Sequence, residues 1–209
     1  MAIIELIFPR LKKDPDLIKE ALSKVPGLAR SAFKDAGVQR GLRGFIDSEN
    51  GKDVTADLKE LVILEWLSAS DFTAFVQSQA FITYMGHMKP YADGPPEIDL
   101  FETNTGSPLF GSREFLEIIL VRPKDSSNDE DVEDILEKVR SSLEKANDSE
   151  TIYGASVNLP QRMATIIRAF ESRKEREAAK QSQQELLSEV GKLADLTRLD
   201  AEVKTLPIH

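Results

Sequence analysis

The sequence predicts an α+β protein built from two β-α-β-β-α-β halves within one chain, their antiparallel sheets packed face to face. Three observations predict this. The same order of elements is written twice, with a period of about 105 residues, too long for a solenoid repeat. A stretch rich in Gly, Ser, Pro and Asn, NTGSPLFGS at 104–112, separates the two copies. The strand LKELVILEWL is apolar on both sides: Leu61 and Ile63 point one way, and Val62, Leu64 and Trp66 the other. In a β-α-β-β-α-β unit the helices cover one face of the sheet, so the other face needs a partner.

Ala2–Phe8 (AIIELIF) is the first strand, closed by Pro9. Asp14-Pro15 opens a helix with Leu17, Ile18, Ala21, Leu22 and Val25 on one side, and Pro26-Gly27 is expected to stop it. Val38–Asp47 is a strand, Asp47–Asp57 a polar loop turning at Asn50-Gly51, and Leu58–Leu67 a third strand. Asp71–Met88 is helical. Phe72, Phe75 and Val76 form one apolar stripe, while Phe81, Tyr84, Met85 and Met88 form another in a different phase, which predicts a break near Ser78-Gln79. After Gly94-Pro95-Pro96, Glu97–Thr103 is the fourth strand. The second copy runs through strand Glu114–Val121 and a helix with Val132, Ile135, Leu136, Val139 and Leu143 on one face. Strands Thr151–Leu159 and Arg162–Phe170, helix Arg173–Leu193 and strand Thr197–Leu206 complete it. The order is that of a split-βαβ, ferredoxin-like unit. The boundaries expected are 1–104 for the first half, 105–112 for a linker and 113–209 for the second half. Short echoes accompany the repeat: IIELIFP with EIILVRP, ILEW with IRAF, and EIDLFET with LDAEVKT.

Composition narrows the function. The net charge of −9, with no basic run, argues against nucleic acid and against an anionic membrane surface. No apolar run reaches the ~20 residues of a bilayer span. MAIIELIFPRLKK has no basic start before its apolar run, so no signal peptide is expected. The absence of cysteine excludes disulfides, zinc-thiolate sites and a catalytic thiol, and agrees with a cytoplasmic location. Phosphate-loop, dinucleotide and Gly-x-Ser-x-Gly motifs are missing. Two histidines make a histidine-based metal site improbable. The carboxylates read as solvated helix faces with no acid/base pair among them.

Some residues carry a chemical suggestion. His87 is a candidate general base by residue type and sits close to a helix C-terminus, where a positive charge also serves as a cap. Arg40 and Arg43 fall on opposite faces of the second strand, so one of them can point inward and hold a carboxylate or phenolate. Arg168 shares a face with Ile166 and Phe170. A buried arginine requires a partner, either a ligand or an acidic side chain on a neighbouring strand. The aromatic stripes of 66–84 read first as core packing.

Residues 62–101 also carry a resemblance. Glu65-Trp66 at the end of a strand, Ser70-Asp71 opening an acidic helix, Ser78-Gln79-Ala80-Phe81 at a helix break and Gly94-Pro95-Pro96 before the last strand resemble the dimeric α/β-barrel superfamily, in particular its antibiotic-biosynthesis-monooxygenase-like branch. The resemblance implies an intramolecular pseudo-dimeric α/β barrel; tandem forms of the domain resemble a fungal type of protein. It implies one of several roles: cofactor-free oxygenase, cyclase or decarboxylase acting on an aromatic or polyketide-like small molecule, or a non-catalytic or stress-responsive binder. No cofactor is expected. The expected assembly is a monomer with an internal pseudo-dimer, or a homodimer of these. A cavity between sheet and helices is implied, with His87 and Tyr84 as candidate catalytic residues and Trp66, Phe72, Phe81, Arg43 and Arg168 as candidate substrate contacts. The chain departs from the family pattern at Phe75 and Ala80, where members carry histidines, and at Phe170, which stands where the second half would repeat Trp66. Any cavity is therefore expected in the first half. An enclosed one of a few hundred cubic ångströms beside Trp66, with a polar side chain entering it, would favour an enzyme or binder. A core packed solid in both halves would favour a protein acting through its surface, and a larger cavity lined by Phe170 and Arg168 would count against the asymmetry.

Overall fold

Two runs of β-α-β-β-α-β are present in the computed structural model, which describes residues 2–106, 113–124, 130–146, 148–182 and 184–208. The first run is β1 (Ala2–Phe8), α1 (Pro15–Phe33), β2 (Val38–Glu49), a short β3 (Lys52–Asp53), β4 (Glu60–Trp66), α2 (Ala69–Val76), α3 (Gln79–Met88) and β5 (Glu97–Thr103). The second is β6 (Phe115–Pro123), α4 (Glu130–Ala146), β7 (Ile152–Ser156), β8 (Ala164–Phe170), α5 (Arg173–Ser182), α6 (Gln184–Leu193) and β9 (Ala194–Thr205). Most of the expected linker, residues 107–112, lies outside the described residues.

The strand order is β2-β4-β1-β5 in one half and β7-β8-β6-β9 in the other, the same permutation twice. β5 pairs with β7 and β2 pairs with β9, which closes an antiparallel barrel of eight strands; β3 extends β2 as a hairpin at Asn50-Gly51. The two sheets thus face each other across the barrel and join at their edges, which leaves neither edge unpaired. The seams differ in length. β2–β9 runs from Leu42–Thr205 to Glu49–Leu199, whereas β5–β7 runs only from Phe101–Ser156 to Thr103–Gly154. A glycine stands at each seam: a Cβ on Gly44 would collide with the Glu202 carbonyl, and one on Gly154 with the Glu102 carbonyl. No larger residue allows the backbones to approach this closely.

Alternation along the strands fills two layers. Ile4, Leu6, Leu61, Ile63, Ile118 and Ile167 point into the barrel and form its core. The opposite faces meet the helices. In the first half Ala29 and Phe33 of α1, Phe75 of α2 and Trp66 form that layer; in the second, Val132, Ile135 and Val139 of α4 pack on Ile119 and Ile166. Burying each such side chain contributes about 1.5–3 kcal/mol.

The helix break falls where the phase change predicts it, with Ser78 capping α3 by accepting from Phe81 N. Pro26-Gly27, by contrast, does not stop α1. Proline removes one helical hydrogen bond and crowds the preceding turn, but continuing the helix to Phe33 buries Ala29 and Phe33 against Trp66, and that burial outweighs the local cost. The helix expected over 173–193 is described as α5 and α6, with Gln183 outside the described residues. No helix among the described residues is long and apolar enough to cross a membrane.

Candidate functional site

The helix-facing side of the first sheet holds an apolar cavity of about 90 Å³. β1 directs Glu5 onto that side, between Leu64 of β4 and Leu100 of β5. Val62, Leu64, Phe33, Phe75, Phe81 and Met85 are among the apolar walls, and Leu206, beyond β9, closes part of the space. Four polar side chains line it: Glu5, Arg43 and Tyr84, with Arg10 at the edge that it shares with a neighbouring cleft.

Glu5 is 3% exposed, and its Oε2 accepts from Trp66 Nε1 at 2.7 Å. Burial pushes its carboxyl up to about 7, and the indole hydrogen bond offsets only part of that rise. Arg43 reaches across from β2 and donates through Nε to Glu60 Oε1. Its Nη2 is buried without a hydrogen-bond partner among the described residues. Burial raises the Glu60 carboxyl and the Arg43 charge lowers it, with burial the larger effect. Tyr84, on α3, is pushed up to about 12, first by burial and then by the negative charge of Glu60, so it is a neutral hydroxyl donor at any ordinary pH.

The remaining sequence candidates fall as follows. Phe81 lines the cavity with Tyr84 and Arg43. Trp66 does not; it stands behind the wall, 1% exposed, with its ring 5.4 Å from Phe75 and 5.6 Å from Phe72, and Phe72 lies outside the lining too. His87 is exposed on the far side of α3, in a surface groove against α1. Arg168 lies in the other half, where its Nε donates to Glu117 Oε2 at 2.7 Å; the acidic partner comes from a neighbouring strand. Two residues that matter escaped the sequence reading. Glu5 and Glu60 are buried strand carboxylates, so the reading of all carboxylates as solvated helix faces is corrected. For Glu5 a signal existed: it is the one charged residue in AIIELIF and shares a face with Ile3 and Ile7, the argument that singled out Arg168.

Strand register makes the two halves comparable residue by residue. Glu5 faces Leu64 and Leu100, and Glu117 faces Arg168 and Asp200. Ile98 corresponds in the same way to Arg198. Glu117 is thus held between Arg168 and Arg198, and the arginine side chains occupy space that stays open in the first half. A larger, open cleft of about 660 Å³ does occur in the second half, with Arg168 on its wall. It is a charged surface groove between α4 and α6 that Phe170 does not line. The apolar cavity is in the first half, as predicted, and its volume is below the few hundred cubic ångströms that would by size favour an enzyme or binder.

A carboxyl pushed up to about 7 by burial, beside an apolar cavity, can take or give a proton at neutral pH. An unpaired guanidinium N–H and a neutral phenol in the same cavity can hold an oxyanion. Among the described residues no group of three or more His, Cys, Asp or Glu is placed to hold a metal ion.

No family model matches the sequence, and no curated protein matches it at a significant level. Solved structures do match the fold along nearly its whole length. A protein from Fusobacterium nucleatum provisionally named a monooxygenase aligns with a TM-score of 0.61 at 11% identity, covering 98% of this chain and 94% of that one. An anthrone oxidase-like protein gives 0.61 at 8% identity, over 99% and 94%. A mutant chlorite dismutase from Candidatus Nitrospira defluvii gives 0.55 at 10% identity, over 96% and 90%. At these identities the likeness shows the fold. The chain shares with them an antiparallel α+β barrel fold, here closed within a single polypeptide.

Proposed function

We propose that the chain is a small enzyme, working without a bound cofactor, that uses the first-half cavity to deprotonate a compact aromatic or polyketide-like compound. The ionised Glu5 carboxylate accepts a proton from an acidic O–H or C–H of the substrate. The oxyanion so formed accepts from Arg43 Nη2 and from the Tyr84 hydroxyl. Such an anion is the common entry to oxidation, cyclisation and decarboxylation. Apolar walls raise the strength of each of these polar contacts by excluding water.

The single observation that carries this reading is Glu5, buried at the cavity and titrating near 7. The names of the fold neighbours, monooxygenase and anthrone oxidase-like, agree with it. The test is titration of the sole tryptophan, Trp66, with phenols and small hydroxyaryl ketones, followed by turnover assays in air of whatever binds. Binding with turnover that falls about 10²–10⁴-fold in Glu5→Gln supports proton transfer by Glu5. Turnover that survives Glu5→Gln rejects it. A second reading, a non-catalytic small-molecule binder, is favoured by the small volume of about 90 Å³ and predicts saturable binding without turnover.

A further inference from the structure

The inner cavity has a larger neighbour. Where the barrel opens beyond the end of β1, a cleft of about 560 Å³ lies over Phe8, Leu120, Leu159 and Leu199, and it shares Pro9, Arg10 and Ile98 with the inner cavity. Volume makes this junction informative. About 90 Å³ is less than the roughly 150 Å³ that holds a benzene ring. With the pliable Met85 and Met88 yielding, the inner space takes one ring and no more. Any further substituent must leave it. The barrel mouth shares three wall residues with the cavity, whereas the α1–α3 groove shares only Tyr84.

Of the charged side chains around the mouth, Arg10 alone lines both spaces, whereas Arg122, also exposed and without a hydrogen bond or ion pair to a described residue, lines only the cleft. Around the mouth Glu60 is paired with Arg43, Glu49 with Lys59, and Asp99 feels the charge of Arg122; Glu97 points to the exposed rim. Arg10 is exposed, and its guanidinium makes no hydrogen bond or ion pair with a described residue. Its backbone is nonetheless fixed: Asp93 N donates to Arg10 O at 2.6 Å, Lys12 N donates to Tyr91 O at 2.8 Å, and Leu11 bridges Ala92. A free planar cation on a pinned backbone suits bidentate recognition of a carboxylate.

We propose that the substrate continues from the inner cavity past Pro9 and Ile98 and ends in a carboxylate held by Arg10 at the barrel mouth. The compound is then an aryl acid: one ring for the inner cavity and a short tail ending in the anion. The inference rests on the cavity being the substrate site. It is tested on the full chain with Trp66 emission as the readout and three probes: phenol, 3-(4-hydroxyphenyl)propanoate and the methyl ester of that acid. The acid is expected to bind at least tenfold more tightly than phenol or the ester. That advantage should vanish in Arg10→Ala, return in part in Arg10→Lys and shrink at high salt, while phenol binds all three proteins alike. Equal affinity for acid and ester, or an advantage that persists in Arg10→Ala, overturns the proposal and leaves the cavity reading standing. If no probe binds wild type, both fall.

Discussion

Glu5 and Glu117 occupy corresponding places in the two halves, on the same strand of the same unit, facing the helices. Around Glu117 the neighbouring strands supply Arg168, Arg198 and Asp200; around Glu5 they supply Leu64, Ile98 and Leu100. One carboxylate is neutralised by cations that fill the space beside it, and Arg168 also lies 5.3 Å over the Phe170 ring. The other keeps a single hydrogen bond from an indole and an open cavity in front of it. An ion pair compensates desolvation and makes a group inert; a lone hydrogen bond leaves the desolvation uncompensated and the proton affinity high. The difference between an ion-paired glutamate and one whose proton affinity is raised by burial thus resides in the residues opposite.

The comparison can be broken from either side. Arg168→Leu gives Glu117 the surroundings of Glu5 without the cavity or the indole, leaving it with Arg198 alone. Denaturant unfolding should show a loss of about 3–5 kcal/mol at neutral pH, among the largest single effects in the chain. Leu64→Arg performs the reverse exchange. The new guanidinium should pair with Glu5, fill the cavity and weaken phenol binding by about 100-fold, as Trp66 titration would record.

The pH dependence sharpens the contrast. The folded Glu5 carboxyl lies at about 7 against an ordinary 4.5, so between these values the folded state holds a proton that the unfolded state has released. Stability therefore falls as pH rises from about 4.5 to about 7 and levels off above it. At pH 8 the penalty is about 3 kcal/mol. Glu5→Gln should accordingly unfold at higher denaturant than wild type at pH 8, by up to about 3 kcal/mol, and match it at pH 4. Trp66 emission should show a transition near pH 7 in wild type that is absent in the variant. The smallest effect is expected at His87, which is exposed and outside the cavity: His87→Ala should change stability by less than about 0.5 kcal/mol and leave probe binding unaltered.

The fold was legible because it follows from order and alternation. Leu61 and Ile63 against Leu64 and Trp66 already required cover on both sides of a sheet, and the barrel provides it. Pro26 misled because local chemistry was weighed without the burial that Phe33 gains beyond it. The site was legible in part. Tyr84, Phe81 and Arg43 do meet at one cavity, while Trp66 supports it from behind and His87 faces away. Glu5 was hidden for a physical reason: its state depends on Leu64 and Leu100, which strand pairing brings beside it from far along the chain. The sequence echo concealed its counterpart as well. Matching Pro9 to Pro123 sets Glu5 against Ile119, whereas strand register sets it against Glu117, two residues away.

Leu206 and Ile208 lie beyond the last strand of the second half, yet they pack into the helix-facing layer of the first, and Leu206 closes the cavity. On a ribosome, the residues that surround Glu5 emerge early and this cover emerges late. At 5–20 residues per second, the roughly 100 intervening residues take about 5–20 s. Through that interval the nascent first half has its strand carboxyl but not the side chain that closes the cavity beside it. The cavity wall is complete only once Leu206 has emerged and packed into that layer, and a chain cut just before Leu206 should retain the barrel while leaving the cavity more open.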